Sequence, residues 1–314
     1  MTFDFYWFRF QFRARDPIHF SQGQPGNIVR GAFGCILRRI ACTKECPALQ
    51  GKNIRECALR ASCSYAQIFE PASLGAGPSG LSDLPRPLVF RTGHLDGQTA
   101  APGEQFWFDV HLFQSRQPPV EHLTRAFAEL ANEGIARGRG RADLVSVEQM
   151  DQEGSIAPQP GPPISIPLEP RALGTRRLRV EFRTPTELKS GERLVAEPDF
   201  GTLFARARDR ISTLRALYGD GPLDIDFRAL GERAAAVRLV RSELRRVRAE
   251  RRSSRTGQRH GIGGFVGMVE YEGELDEFYP YIEAARWTGI GRHCVWGKGE
   301  VRGILIPSGP PCLR

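Results

Sequence analysis

The sequence predicts an α+β protein of two tandem halves, each a βαββαβ unit, with a small cysteine-bearing insertion after the first helix. Three observations carry this. Runs of alternating apolar and polar residues interleave with runs of helical period, in the same order, twice along the chain. A Pro- and Gly-rich stretch around 150–174, densest at "GSIAPQPGPPISIPLEP", separates the two series and places the boundary near 165. With 314 residues, 40% hydrophobic and 25% charged, the chain can bury two cores, assigned to 1–165 and 166–314.

The first half opens with an aromatic-rich alternating strand, Phe3 to Arg15, and a Pro/Gly turn. "NIVRGAFGCILRRIAC" follows as a helix with Asn27 as N-cap. Ile28, Phe33, Ile36, Leu37 and Ile40 lie on its apolar face, and Arg30, Arg38 and Arg39 on the rest. Beyond the cysteines come strands "RPLVFR" and "EQFWFDVHLF", the second with Phe106, Phe108, Val110 and Leu112 on one side. A helix begun by Pro and ended by Gly134 leads into the basic loop of Arg137, Arg139 and Arg141 and a last strand. The second half repeats the plan: strand "RRLRVEFRTPTEL", helices over about 198–218 and about 226–254, strand "GGFVGMVEYEG", helix "LDEFYPYIEAARW", a glycine-rich loop, and strand "GEVRGILI". Each half thus ends as helix, glycine-rich basic loop, strand.

The net charge of +8 points to an acidic partner, and 40 of the 44 basic side chains are arginine, the lysines being Lys44, Lys52, Lys189 and Lys298. Bidentate phosphate binding and GC-rich codon bias both produce such a ratio, so position decides. Arg238, Arg241, Arg245, Arg248, Arg252 and Arg255 recur three and four apart, one face of the expected helix. An unbroken cationic stripe repels itself, so Arg241, Arg245, Arg248 and Arg252 are expected to contact RNA, the alternative being a solvated face. No apolar run approaches the roughly 20 residues of a membrane span, and the start lacks a signal-peptide core. The expectation is a cytoplasmic protein without a membrane partner.

"TGIGRHCVWGKGEVRG" gathers Gly289, Gly291, Gly297 and Gly299 around Arg292, Lys298 and Arg302. Five residues separate Gly291 from Gly297, and Gly299 follows Lys298, which rules out a Walker loop. A dinucleotide fingerprint would open a helix, whereas this loop comes after one. The pattern suits a polymeric phosphate, with a hairpin of glycine bulges as the alternative. His293 within it can exchange a proton near neutral pH, and Lys298 or Arg292 would stabilise charge growing on phosphorus. Cys42, Cys46, Cys57 and Cys63, spaced C-x3-C-x10-C-x5-C, fit a structural zinc, with an iron–sulfur cluster and free thiols as alternatives. Cys35, Cys294 and Cys312 fall outside that spacing. No carboxylate cluster suits a catalytic metal.

Residues 263–302, with Gly264-Phe265-Val266-Gly267, an acidic turn, a short helix and the glycine loop, resemble the C-terminal signature of CRISPR RNA-processing endoribonucleases of the RAMP superfamily. Residues 24–40, with Arg30-Gly31-Ala32 after a glycine turn, resemble the family's first helix, and "CSYAQIFEP" resembles the segment after that helix in the family's cysteine-bearing branch. The resemblance implies two tandem ferredoxin-like (RRM-like) domains and cleavage of CRISPR repeat RNA by the 2′-hydroxyl without a catalytic metal, leaving a 2′,3′-cyclic phosphate. It also implies a general base near the first helix, where only His19 stands. His94, His111, His122 and His260 are read as structural. Partners would be repeat RNA and other CRISPR effector subunits, and not DNA. Two alternatives stay open: a non-catalytic RAMP subunit that scaffolds guide RNA, and a zinc-stabilised protein-interaction module, which leaves the arginines unexplained.

Overall fold

The structure, a computed structural model, describes residues 1–42, 46, 57–71, 84–116, 118–191, 193–252 and 259–307. Two compact bodies divide the chain: Asp4–Ile164 with Ala216–Asp220, and Met1–Phe3 with Ser165–Arg215 and the chain from Gly221 onward.

In the first body the order is β1 (Thr2–Ala14, its first two residues belonging to the second body), β2 (Ile18–His19), α1 (Pro25–Ala41), α2 (Ser64–Phe69), β3 (Leu88–Arg91), β4 (Thr99–Ala100), β5 (Gln105–Leu112), α3 (Val120–Glu133) and β6 (Ala142–Met150). The sheet runs β3-β5-β1-β6, with neighbours antiparallel, which is the order a βαββαβ unit produces. α1 starts two residues before Asn27: Gln24 is the N-cap and Pro25, with preset φ and no N–H to satisfy, begins the helix. Phe127 of α3 joins the layers, its ring 4.7 Å from Phe33 of α1, 4.5 Å from Phe10 of β1 and 5.0 Å from Phe108 of β5. Truncating so central a ring to Ala costs about 3–5 kcal/mol.

The second body holds β7 (Ile164–Pro167, entering from the boundary), β8 (Arg177–Thr186), β9 (Leu188–Ser190), β10 (Arg193–Val195), α4 (Phe200–Tyr218), α5 (Phe227–Ala234), β11 (Arg238–Val247), β12 (Glu250–Arg252), β13 (Arg259–Gly261), β14 (Gly264–Glu272), α6 (Tyr279–Thr288) and β15 (Val301–Ile306). Its sheet order, β11-β14-β8-β15, repeats that of the first body. α4 covers one face, Phe200 meeting Tyr271 of β14 at 5.1 Å and Phe204 meeting Phe278 at 4.8 Å. Among the described residues no helix is long and apolar enough to cross a membrane.

One expected element is corrected. The helix read over 226–254 ends at Ala234, and the arginine stripe is strand β11 at the sheet edge, paired with β14 from Arg238↔Glu272 to Val247↔Gly264. The pairing shifts between Leu239 and Arg241, a bulge at Val240. An extra residue in a two-residue period makes exposed positions recur three apart, which imitates a helix.

Candidate nucleic-acid interface and cleavage site

The loop after α6 is bent by left-handed backbone at Gly289 (φ 72°), Gly291 (84°), His293 (65°), Gly297 (74°) and Gly299 (67°). Protein fills the space that three of these glycines leave. A Cβ on Gly291 would stand 2.3 Å from the Glu187 carbonyl oxygen, one on Gly299 would stand 2.1 Å from that of Ile290, and one on Gly289 would stand 3.1 Å from Cys294 Sγ. Most amides face the protein too. Ile290 N donates to Gly299 O at 2.8 Å, Arg292 N to Glu187 O at 3.0 Å, Gly299 N to Pro185 O at 3.1 Å and Glu300 N to Thr184 Oγ1 at 3.0 Å. The glycines therefore close the loop onto the end of β8, and an anion here meets side chains more than an amide cradle. His293, in the left-handed region that histidine enters more readily than most non-glycine residues, lies flat on Trp296 with ring centroids 4.7 Å apart. Arg292 is tied to Glu187 at 2.5 Å, and Lys298 is buried.

Beside this loop, arginines from three elements converge. The Arg286 guanidinium of α6 is held below the usual arginine range by burial and by repulsion from Arg302 and Arg183, with Glu300 and Glu283 opposing. Arg183 reaches Glu300 only at 3.6 Å. A mutually repelling arginine set is relieved by a multivalent anion. Sequence reasoning named Arg302 and missed the other two. The alternation of "RRLRVEFR" puts Arg183 on the same side of β8 as Arg177 and Arg179, but no short-range signal brings Arg286 to it.

That side of the sheet continues to β11, where register places Arg241 opposite Glu270, Glu243 opposite Met268 and Arg245 opposite Val266. The stripe is not uniformly available. Arg241 grips Glu243 through Nε at 3.0 Å and Arg238 reaches Glu272 at 3.3 Å, while Arg179 takes Glu270 at 2.8 Å. Among the described residues Arg245 and Arg248 are exposed and carry no carboxylate partner. A cavity of about 440 Å³ opens beneath Arg245, Arg246 and Arg248, floored by Leu194, Leu244, Val247 and Phe265. Arg252 is on β12, and Arg255 and Cys312 lie outside the described residues.

In the first body the fold joins two groups distant in sequence. The loop after α3 closes through an Ile135–Gly140 bridge, and a Cβ on Gly140 would stand 2.4 Å from the Pro17 carbonyl oxygen, two residues before His19. Arg141 donates Nε to Asp16 at 2.8 Å and Arg139 donates to the Glu133 carbonyl at 3.3 Å, so of the three loop arginines Arg137 is the most open. His19 on β2 is exposed, with Nδ1 2.8 Å from Thr99 Oγ1. Arg30 is half-buried, its guanidinium 4.3 Å over the Phe69 ring. His94 stacks on Trp107 and His111 is buried.

Three of the four spaced cysteines pack together. Buried Cys46 and Cys57 pack with Cys42, whose thiol is pushed up to about 12 by burial and by the neighbouring thiols of Cys46 and Cys63. As they stand, no three His, Cys, Asp or Glu side chains among the described residues converge tightly enough to hold a metal. Cys35 is exposed on α1, and Cys294 is buried under Gly289.

Two bodies of one sheet order, one carrying an arginine-rich sheet face and a pinned cationic loop, define a two-domain α+β protein with a basic surface. Residues 3–164 match the family model AF_1859_N, described as an N-terminal domain, and residues 180–301 match that of the CRISPR-associated endoribonuclease Cas6. The chain therefore belongs to the AF_1859_N family, and its residues 180–301 are similar to the Cas6 endoribonuclease model. Among solved structures it is similar to a Cas6 (TTHB231) product complex, at 15% identity and TM-score 0.55 over 96% of this chain and 100% of that one. Thermus thermophilus Cas6 (TTHB231) matches at 14% identity and TM-score 0.53 over 97% and 99%. A partial Cas6-RT-Cas1–Cas2 complex matches at 10% identity and TM-score 0.56 over 96% of this chain and 46% of that one. At such identities these likenesses establish the fold. Among curated proteins none matches.

Proposed function

We propose that this protein is an endoribonuclease that cuts CRISPR repeat RNA to mature guide RNA. In this reading the two bodies are ferredoxin-like domains. RNA crosses the second through Arg245, Arg248, Arg302 and the exposed part of Arg241, and touches the first at Arg137. The observation that supports it is the loop 289–302, which holds an imidazole on Trp296 and leads into a set of mutually repelling arginines, Arg183, Arg286 and Arg302. His293 accepts the 2′-hydroxyl proton, and the freed oxygen attacks the adjacent phosphorus. The bond to the 5′-oxygen breaks as that oxygen takes up a proton, leaving a 2′,3′-cyclic phosphate. Arg286, Arg302 and Lys298 offset the charge that builds on phosphorus. The nucleophile belongs to the substrate, so no step draws on a metal. His19, exposed beside Asp16 and Arg141, is the alternative proton acceptor. The proposed setting is cytoplasmic, with other CRISPR effector subunits as partners and neither DNA nor membrane.

The test is cleavage of a labelled repeat RNA. Cutting should persist in EDTA, yield the cyclic phosphate and stop when a single 2′-deoxy nucleotide is placed at the cut. Both histidines already have structural contacts, Trp296 for one and Thr99 for the other, which favours one rival: a scaffold subunit that holds guide RNA uncut. Tight binding of every repeat RNA offered, with no product, would establish that rival instead.

A further inference from the structure

We propose that Cys42, Cys46, Cys57 and Cys63 bind a single zinc ion as four thiolates, and that this ion fastens α2 to the end of α1. The placement of the four residues argues for it. Cys42 ends α1, its amide donating to Arg38 O at 3.1 Å, and Cys63 is the N-cap of α2. Two tight turns lead from Cys57 to Cys63, with Arg60 N on Cys57 O at 3.3 Å and Cys63 N on Arg60 O at 3.4 Å. Cys46 and Cys57 are 6% and 8% exposed and form a cluster of their own with Cys42, apart from the aromatic core. None is in a disulfide.

Size and charge select the occupant. Four sulfurs around one zinc stand roughly 3.8 Å apart, given Zn–S distances near 2.3 Å. Cys42, Cys46 and Cys57 pack against one another in one small cluster, which fits a single ion, whereas the four thiolates of an iron–sulfur cluster are spread around a larger inorganic core. A zinc tetrathiolate is a dianion. Arg38 in the last turn of α1 and Arg60, whose guanidinium sits on Cys57 O at 3.2 Å, provide compensating charge. Because the side chains are not yet in ligand geometry, the proposal includes a local closure of the thiols about the ion.

The ion has a structural task. α2 is six residues long with no side-chain cap, too short to persist by its own hydrogen bonds. It presents Phe69 to α1 where only glycine fits, since a Cβ on Gly34 would stand 2.1 Å from the ring. The same ring carries the Arg30 guanidinium, and its backbone carbonyl accepts from Arg86 Nε at 2.9 Å. Holding α2 therefore seats Phe69, and Phe69 seats Arg30. This inference does not depend on RNA cleavage.

The full chain, purified without chelator, should contain one zinc per molecule by elemental analysis. Cobalt(II) exchanged into it should show the visible bands of a tetrahedral tetrathiolate. Cys46→Ser and Cys57→Ser should abolish both signals, and Cys35→Ser should keep them. Should the serine variants fail to fold, the wild type decides. With zinc bound, the four thiols should resist a maleimide and then react at least tenfold faster after chelation, and the melting temperature should fall and recover when zinc alone is returned. Metal-free protein with equal thiol reactivity before and after chelation would overturn the proposal, as would iron with visible charge-transfer absorption.

Discussion

The two glycine loops occupy the same topological place, after the last helix of a body and before its last strand, and use it differently. The first, Gly134 to Arg141, is a short closed turn in which Asp16 and the Glu133 carbonyl absorb two of three arginines. The second, Gly289 to Glu300, spends its glycines and amides on closure to β8 and holds the half-buried His293 ring on Trp296, while Arg183, Arg286 and Arg302 gather around its far end. Shared position sets how a loop is held, and the charge left over after closure sets what it can bind.

The largest expected effect separates the loops by chemistry. His293→Ala should slow single-turnover cleavage by roughly 10²–10⁴-fold with little change in RNA affinity, and His19→Ala should slow it less. A larger loss from His19→Ala would move the chemistry to the first body.

Closure, by contrast, should be equally demanding in both. Gly291→Ala and Gly134→Ala each force a Cβ to 2.3 Å from a carbonyl oxygen at positive φ, so each should cost about 2–4 kcal/mol in urea unfolding. Gly103→Ala, at φ +87° with open space around it, should cost about 1 kcal/mol. Equal losses at all three would show that the close contacts are relieved cheaply.

Smaller differences lie in the salt dependence of binding. Arg245→Gln and Arg248→Gln should each lower the slope of log K against log salt by about 0.7–0.9 if they touch phosphate. Arg241→Gln and Arg141→Gln should lower it less, because each arginine must first leave a carboxylate. Identical slopes for all four would make the ion pairs irrelevant to binding.

The smallest effect concerns acid. Arg141 holds the Asp16 carboxyl below its ordinary 3.8, so this contact contributes above that pH and is lost as pH falls through the lower folded value. Amide protection over 135–141, measured relative to the intrinsic exchange rate at each pH, should fall below pH 3.8, and Asp16→Asn should remove that change in protection.

Much of this architecture was legible because burial imposes a period. β5 buries Phe106, Phe108, Val110 and Leu112, and α3 shows its helical face and terminal glycine. β11 was not, because an edge strand has one partner, its exposed arginines carry no apolar alternation, and the Val240 bulge breaks the count. In the site, the glycines, His293 and Arg302 announced themselves as a cluster in sequence. Arg183 and Arg286, 103 positions apart, come near one another because β15 pairs with β8 and packs against α6.

The arginines of β11 also have a bearing on solubility. Among the described residues this strand pairs with β14 on one side only, so a row of backbone donors and acceptors faces outward, and such an edge invites another strand to add to it. Closely spaced positive charge along that edge repels a second copy of itself. The arginines proposed to meet RNA would thus also keep the free protein from self-association, and replacing several at once with neutral residues should promote aggregation. Lysine, which keeps the charge and gives up the planar fork, is the substitution that separates the two roles.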